Sequence, residues 1–318
     1  LEASRVTGIA DGTTDVTVSL GELTVRIPVT VRLRETDSVS MRLEVLPVLS
    51  RQGCSSGACH GSPKGKGGFR LSLRAFDPSI DESTLRNEFF ARRTNPLDPD
   101  TSLLLRKPLT QVPHAGGRKV IAGSTSHEIL RRWIREGTRL DPPNAARCEK
   151  VELYPPSGRE LTSAVPAQRF TVLATFSDQA VRDVTELAVF TVSDSSIAEV
   201  DGFGLVTRVN DSRGQTAVTV RYLEHMATSF VVSVSEVDGY EWPAPAETNY
   251  VDELVHRRLR QLQFVPSKQC SDSEFIRRLS LDVTGLLPTV TATRKFLADK
   301  STDKRSQLID QLLATREH

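Results

Sequence analysis

The sequence predicts a chain of several domains: a mainly α region early on, an all-β sandwich in the middle, and a helical segment at the end. Three observations predict it. The chain has 318 residues, about twice the roughly 150 that a single domain commonly takes. Apolar and polar residues alternate from Gly12 to Val31 and again from Cys148 to about Glu236, the period of half-buried strands. Between Asp37 and Arg147, and again after Glu247, apolar residues recur instead at helical spacing. The expected boundaries are 1–36, 37–147, 148–238 and 239–318.

In the first stretch Val16, Val18 and Leu20 alternate, Gly21-Glu22 turns, and Val25, Ile27, Val29 and Val31 alternate again, which reads as a hairpin. Gly214-Gln215-Thr216-Ala217-Val218-Thr219-Val220 repeats Gly12-Thr13-Thr14-Asp15-Val16-Thr17-Val18. After a one-residue gap Phe230, Val232 and Val234 fall opposite Ile27, Val29 and Val31, so the hairpin is expected to be the last two strands of a second β module. An isolated hairpin is marginal in water. It is therefore expected to need the next domain or a second chain, with a dimer as one outcome and an earlier natural start as another.

From Asp37 to Arg147 the spacing predicts a helix over 81–93 with Leu85, Phe89 and Phe90 on one face, a short helix over 101–107 ended by Pro108, and a last one ending near Glu136. Ser124 or Ser126 caps this last helix, Ile129, Leu130, Trp133 and Ile134 form its stripe, and Gly137 stops it. Strands are expected over 151–153, 170–176, 188–192, 197–200, 204–209, 217–222 and 229–234, then a stiff Pro-rich linker at Glu241–Ala246. Helices follow: one carries Val251, Leu254, Val255, Leu259 and Leu262, one starts at a capping box from Ser271 to Glu274, and two more span about 290–298 and 303–314.

The chemistry concentrates in Gln52-Gly53-Cys54-Ser55-Ser56-Gly57-Ala58-Cys59-His60-Gly61. Two thiols followed by an imidazole are what covalent haem attachment needs, although the usual spacing has two residues between the cysteines, not four. A local disulfide and half of a zinc site are the rival readings of these residues.

Further segments narrow the choice. Gly67-Gly68-Phe69-Arg70-Leu71-Ser72-Leu73, Asp100-Thr101-Ser102-Leu103-Leu104-Leu105-Arg106-Lys107-Pro108 and Ile129-Leu130-Arg131-Arg132-Trp133-Ile134-Arg135-Glu136-Gly137 resemble the haem domain of the multidomain c-type cytochromes of planctomycetes. Residues 148–236 resemble bacterial immunoglobulin-like domains. Asp282-Val283-Thr284-Gly285-Leu286-Leu287-Pro288-Thr289 resembles a signature of the helical domain of unknown function that accompanies those cytochromes. The resemblance implies a cytochrome c-like haem domain, an immunoglobulin-like sandwich, a helical C-terminal domain, and one covalent haem c per chain with His60 as proximal ligand. Such cytochromes commonly supply a methionine before the last helix. Here the methionines are Met41 and Met226, and Gln111-Val112-Pro113-His114-Ala115-Gly116-Gly117 occupies that place. His114 is the expected distal ligand, ahead of His127. Trp133 is expected across the cofactor edge.

Globally the charge is balanced, 41 basic against 40 acidic residues, which gives no sign of nucleic-acid binding. Between Arg51 and Leu140, however, 16 Lys and Arg face 8 Asp and Glu. Arg70, Arg74, Arg118 and Lys119 are the candidates for holding haem propionates and attracting an acidic redox partner. No run approaches the roughly 18 apolar residues of a membrane span, and there is no hydrolytic triad or glycine-rich phosphate loop. The expected function is electron transfer in a periplasmic or otherwise extracytoplasmic protein, with a haem sensor or redox enzyme having an open sixth site as the alternative. In that oxidising setting Cys148 and Cys270 are either a bridge or two lone thiols.

Overall fold

The structure, a computed structural model, describes residues 10–31, 38–88, 92–157 and 160–315. It corrects the expected fold class. The described residues are mainly β, in several small sheets, with helices gathered toward the C-terminus, and no all-α cytochrome c-like domain is present. Between residues 38 and 147 the helices are short: a single π turn (Met41–Val45) running into α1 (Leu46–Arg51), then α2 (Pro78–Arg86), α3 (Leu103–Arg106) and α4 (Thr125–Arg135). Helices this short draw little stability from their own hydrogen bonds. Prolines 96, 99, 108 and 113 and the positive-φ glycines 65, 67 and 68 break the runs that would lengthen them.

Helix α2 begins earlier than its periodicity predicts, because the Asp77 carboxylate accepts hydrogen bonds from the Ser79 and Ile80 N–H groups, and it ends by Arg86. Phe89 and Phe90 lie outside the described residues. Ser124 caps α4 as expected, and Leu130, Trp133 and Ile134 are buried. The expected short helix over 101–107 divides into a 3₁₀ turn (Pro99–Thr101) and α3.

The hairpin forms as β1 (Gly12–Leu20) and β2 (Leu23–Val31), closed by Gly21-Glu22. Over residues 148–233 the chain is β throughout: β3 (Cys148–Tyr154), β4 (Glu160–Leu161), β5 (Ala167–Arg169), β6 (Thr171–Phe176), β7 (Val181–Asp183), β8 (Val189–Val192), β9 (Ala198–Val200), β10 (Leu205–Arg208), β11 (Gly214–Tyr222) and β12 (His225–Ser233). These strands form not a two-sheet sandwich but three sheets, ordered β5-β10-β9, β4-β12-β11-β8 and β3-β6-β7. Strands β4, β5 and β7 have only two or three residues each and were not legible in the alternation. The sheets share one core, in which Phe170, Val172, Val218, Val220 and Tyr222 are buried.

Hairpins β1–β2 and β11–β12 match without the one-residue gap expected. In both, nine residues, a two-residue turn and nine residues follow one another, so Leu20 takes the place of Tyr222 and Val31 that of Ser233. Gly12 and Gly214 share the same backbone, φ +156° and +155°. They differ in burial: Val220 is 0% exposed, its counterpart Val18 54%.

The core of the 38–147 region contains Val45, Leu46, Val48, Leu85, Leu105, Leu130, Trp133 and Ile134. Leu43, on the π turn before α1, belongs instead to the β core, and half-buried Leu187 packs on both. The buried Tyr222 hydroxyl donates to the Leu43 carbonyl at 2.8 Å, and Arg221 donates to Ser50 at 2.8 Å. The two parts therefore pack into one compact unit, residues 1–235.

Residues 236–318 form the second unit. Capping boxes start α5 (Tyr250–Gln261) at Asn249 and α6 (Asp272–Thr284) at Ser271, and α6 stops at Gly285 with left-handed φ +70°. Helices α7 (Val290–Ala298) and α8 (Lys304–Leu313) pack on α6, where Ile276 is buried and the rings of Phe275 and Phe296 stack 6.0 Å apart. Lys304 and Arg305 both reach the Asp272 carboxylate, at 2.6 and 2.7 Å.

The shared helix makes one unfolding transition the expected behaviour of residues 1–235. Tyr222→Phe should lower stability by about 1–2 kcal/mol, since it leaves the buried Leu43 carbonyl without its donor. Leu43→Ala should cost about 2–4 kcal/mol. In denaturant titrations of either variant, two separate transitions would count against the shared packing.

Candidate functional site

Helix α1 delivers the cysteines. After Arg51 the chain turns at Gly53 (φ +73°), and the Cys54 N–H donates back to the Leu49 carbonyl at 2.9 Å. The His60 N–H donates to the Cys54 carbonyl at 2.9 Å, so the four intervening residues close into a compact loop that returns the histidine to the first cysteine. A Cβ on Gly61 would lie 2.1 Å from the Ser55 carbonyl oxygen, so glycine is required immediately after the histidine. The segment after the loop clamps it: the Leu71 N–H donates to His60 O at 2.7 Å and the Arg74 N–H to Ser55 O at 2.9 Å. Buried Asp81 anchors that segment by accepting from Ser72 N–H and Oγ–H, both at 2.6 Å.

Cys54, Cys59 and His60 line a cleft of about 420 Å³ whose wall is apolar, with Val48, Leu49, Leu104, Val120 and Leu130 among its residues. His114 lines the same cleft. The two imidazoles are nearly parallel, 12° apart, with ring centres separated by 6.4 Å. Rings in face contact would need atoms at about 3.5–4.0 Å, so this pair is spaced rather than stacked. Two imidazoles on opposite sides of one metal ion, each with a metal–nitrogen bond of about 2.0 Å and a ring centre about 1.1 Å behind the nitrogen, have centres about 6.2 Å apart.

Hydrogen bonding fixes the tautomers. His60 Nδ1 lies 2.9 Å from the Phe69 carbonyl and His114 Nδ1 2.8 Å from the Gly117 carbonyl. A carbonyl only accepts, so Nδ1 carries a proton in both rings, and Nε2 is the nitrogen left to take a metal. A carbonyl on the far nitrogen is also the usual outer support of a metal-bound histidine. Burial holds the His60 pKa below its ordinary value against the pull of the Phe69 carbonyl, and the charges of His114 and Arg93 add to the lowering. At neutral pH His60 is therefore a neutral donor. Its ring packs on Phe69 at 4.5 Å, and Arg93 covers the other ring contact at 4.6 Å from Phe69.

Cys54 and Cys59 are free thiols, not a local disulfide, and Cys148 and Cys270 are free as well. Burial, with Cys59 adding, pushes the Cys54 thiol up to about 11. Among the described residues no group of three or more His, Cys, Asp or Glu is arranged to hold a metal ion. The cleft does bring two thiols and two imidazoles to one apolar wall, a donor set that would suit a flat, covalently held iron porphyrin.

The other expected site residues lie elsewhere. Trp133 is fully buried in the core, where its Nε1–H donates to the Arg139 carbonyl, and it does not line the cleft. Arg70, Arg74, Arg118 and Lys119 do not line it either. Among the described residues that line it the cations are Lys66, Arg92, Arg93 and Lys107, and none is a carboxylate. Lys66 and Lys107 were within or beside the segments that carried the resemblance, but basic residues at similar spacing surround them, and sequence does not say which reach inward. His127, in the first turn of α4, has its Nδ1 3.0 Å from the Glu128 carboxylate and 3.2 Å from the Gly123 N–H, and one tautomer can satisfy only one of the two.

Residues 250–318 match the family described as PSCyt2: Protein of unknown function (DUF1549). The matched stretch holds α5 to α8, with Asp282–Thr289, and none of the cleft residues. No curated protein matches the chain.

Because burial depresses the His60 pKa, the folded chain binds that proton less well than the unfolded one. This part of the stability is complete above pH 6.5 and declines as the pH falls below it. The chain should show that decline in its denaturation midpoint, and His60→Gln should make it shallower. Equal slopes would place the His60 ring in water. Alkylation of Cys54 by iodoacetamide, followed by peptide mass, should be slow near neutral pH and accelerate towards about 11.

Proposed function

We propose that this cleft carries one covalently attached haem, with thioethers from Cys54 and Cys59, His60 as proximal ligand and His114 as distal ligand, and that the chain serves electron transfer. The observation that supports it is the pair of parallel imidazoles, 6.4 Å between centres, across an apolar slot lined by both thiols. Attachment is an addition: each S–H adds across one vinyl double bond, sulfur to one carbon and hydrogen to the other, with no net oxidation. When bound, the group supplies a one-electron iron couple without a vacant coordination position, at a potential lower than methionine ligation gives.

The chain's own residues do the rest. His60 and His114 would hold the iron through Nε2, while Val48, Leu104 and Val120 exclude water. Exposed Lys66, Arg92 and Lys107 supply positive charge for the two porphyrin carboxylates, in place of the arginines expected from sequence. The same cations favour an acidic redox partner. Thioether attachment outside the cytoplasm makes this an extracytoplasmic protein, and among the described residues no helix is long and apolar enough to cross a membrane.

Produced in a host with cytochrome maturation, the protein should keep its colour through acid-acetone extraction and gain the mass of one haem. Cys54→Ala or Cys59→Ala should leave at most one thioether, and His114→Ala should turn the ferric iron at least partly high-spin and admit carbon monoxide after reduction. A colourless protein of bare polypeptide mass overturns the haem reading. A coloured wild type that is already high-spin and binds carbon monoxide overturns His114 as ligand and leaves a sensor or redox catalyst.

A further inference from the structure

The two imidazoles are held by unlike means. His60 is wedged between Phe69 and the loop that carries it, whereas His114 is supported from within its own turn. In that turn the Gly117 N–H donates to the His114 carbonyl at 2.9 Å, and the His114 Nδ1–H returns a bond to the Gly117 carbonyl at 2.8 Å. Gly117 takes a left-handed φ of +69°, which the turn requires. The base of the loop is pinned separately, the Lys119 and Val120 N–H groups donating to the Pro108 carbonyl at 2.9 and 3.2 Å and Lys107 Nζ to the Pro113 carbonyl at 3.2 Å.

Folded back in this way, the imidazole lies against Gly116. A Cβ at that position would stand 3.0 Å from His114 Cε1 and 3.2 Å from Nε2, closer than the roughly 3.5–4.0 Å at which carbon atoms pack. Unlike Gly117, Gly116 has no left-handed backbone that would demand glycine. What demands it is the ring.

We infer that Gly116 is a positioning residue for His114: its bare Cα is the surface on which the imidazole rests, and it sets the ring's tilt and its distance from His60. The inference rests on His114 being an iron ligand. Any side chain at 116 must push the ring away by a few tenths of an ångström or break its bond to Gly117. Axial ligation tolerates little of that, since losing an outer support of a metal-bound histidine commonly costs 10–100-fold in metal affinity.

The test uses the haem-loaded protein. Gly116→Ala should keep haem covalently attached, because Cys54, Cys59 and His60 are untouched. The His114–iron bond should weaken by about 10-fold, seen as a high-spin fraction in the ferric spectrum and carbon monoxide uptake after reduction, with free imidazole restoring the low-spin spectrum. Gln111→Asn, on an exposed residue of the same loop that does not line the cleft, should leave the spectrum as in the wild type. In a His114→Ala background, Gly116→Ala should add nothing to the affinity for free imidazole, because the ring it positions is gone; an added effect there would make Gly116 a general structural residue and overturn the inference. So would a Gly116→Ala spectrum identical to wild type in a protein where His114→Ala does open the site. If His114→Ala also leaves the spectrum unchanged, His114 is not a ligand and this inference falls with that assignment, while a colourless wild type removes the haem reading itself.

Discussion

The structure depends on one short helical segment serving two cores at once. Residues 41–51 give Leu43 to the β core and Met41, Val45, Leu46, Val48 and Leu49 to the other, and their last turn leads directly into the cysteines. Tyr222 fastens the segment through Leu43 O, and Arg51 donates to Thr185 O at 3.1 Å while its guanidinium lies over Phe203. A helix of six residues has almost no stability of its own. Its rigidity, and with it the position of Cys54, is lent by the β module behind it.

This arrangement explains why some of the molecule was legible in the sequence and some was not. The strands and the C-terminal helices were readable because alternation and capping boxes are local signals; Ser271 with Glu274 specifies its helix start without reference to anything distant. Residues 41–51 were not read as helical. Pro47 interrupts the run, and its apolar residues face two directions, so no single stripe marks it. The fold class failed for a related reason: helical spacing over a few residues near 81 and 101 was extended into a helical domain, whereas Gly and Pro restrict these helices to one or two turns.

At the site, the motif residues Cys54, Cys59 and His60 and the distant His114 could be picked out by chemistry alone, and they do share one cleft. Local spacing says nothing about which face of a loop points inward, so it does not tell which of the basic residues line the cleft. Trp133 satisfies its indole N–H at Arg139 O in the core, while Arg70 and Arg74 sit on the outer side of the segment that clamps the loop. The roles of Phe69 and Gly116 are purely three-dimensional. One is a carbonyl acceptor with a ring contact, the other an absent side chain, and neither leaves a residue-type signal.

The N-terminal hairpin carries a consequence for handling the protein. Among the described residues both its strands are edges, and one face shows Val18, Leu23, Val25 and Ile27 to solvent, a combination that normally recruits other chains into a growing sheet. Two residues of β2 counter it. Pro28 has no N–H to offer an incoming strand, and Arg26 places a charge on the other face of the same strand. These two positions are gatekeepers, and replacing them with β-branched apolar residues would convert a tolerated exposed sheet into a seed for aggregation.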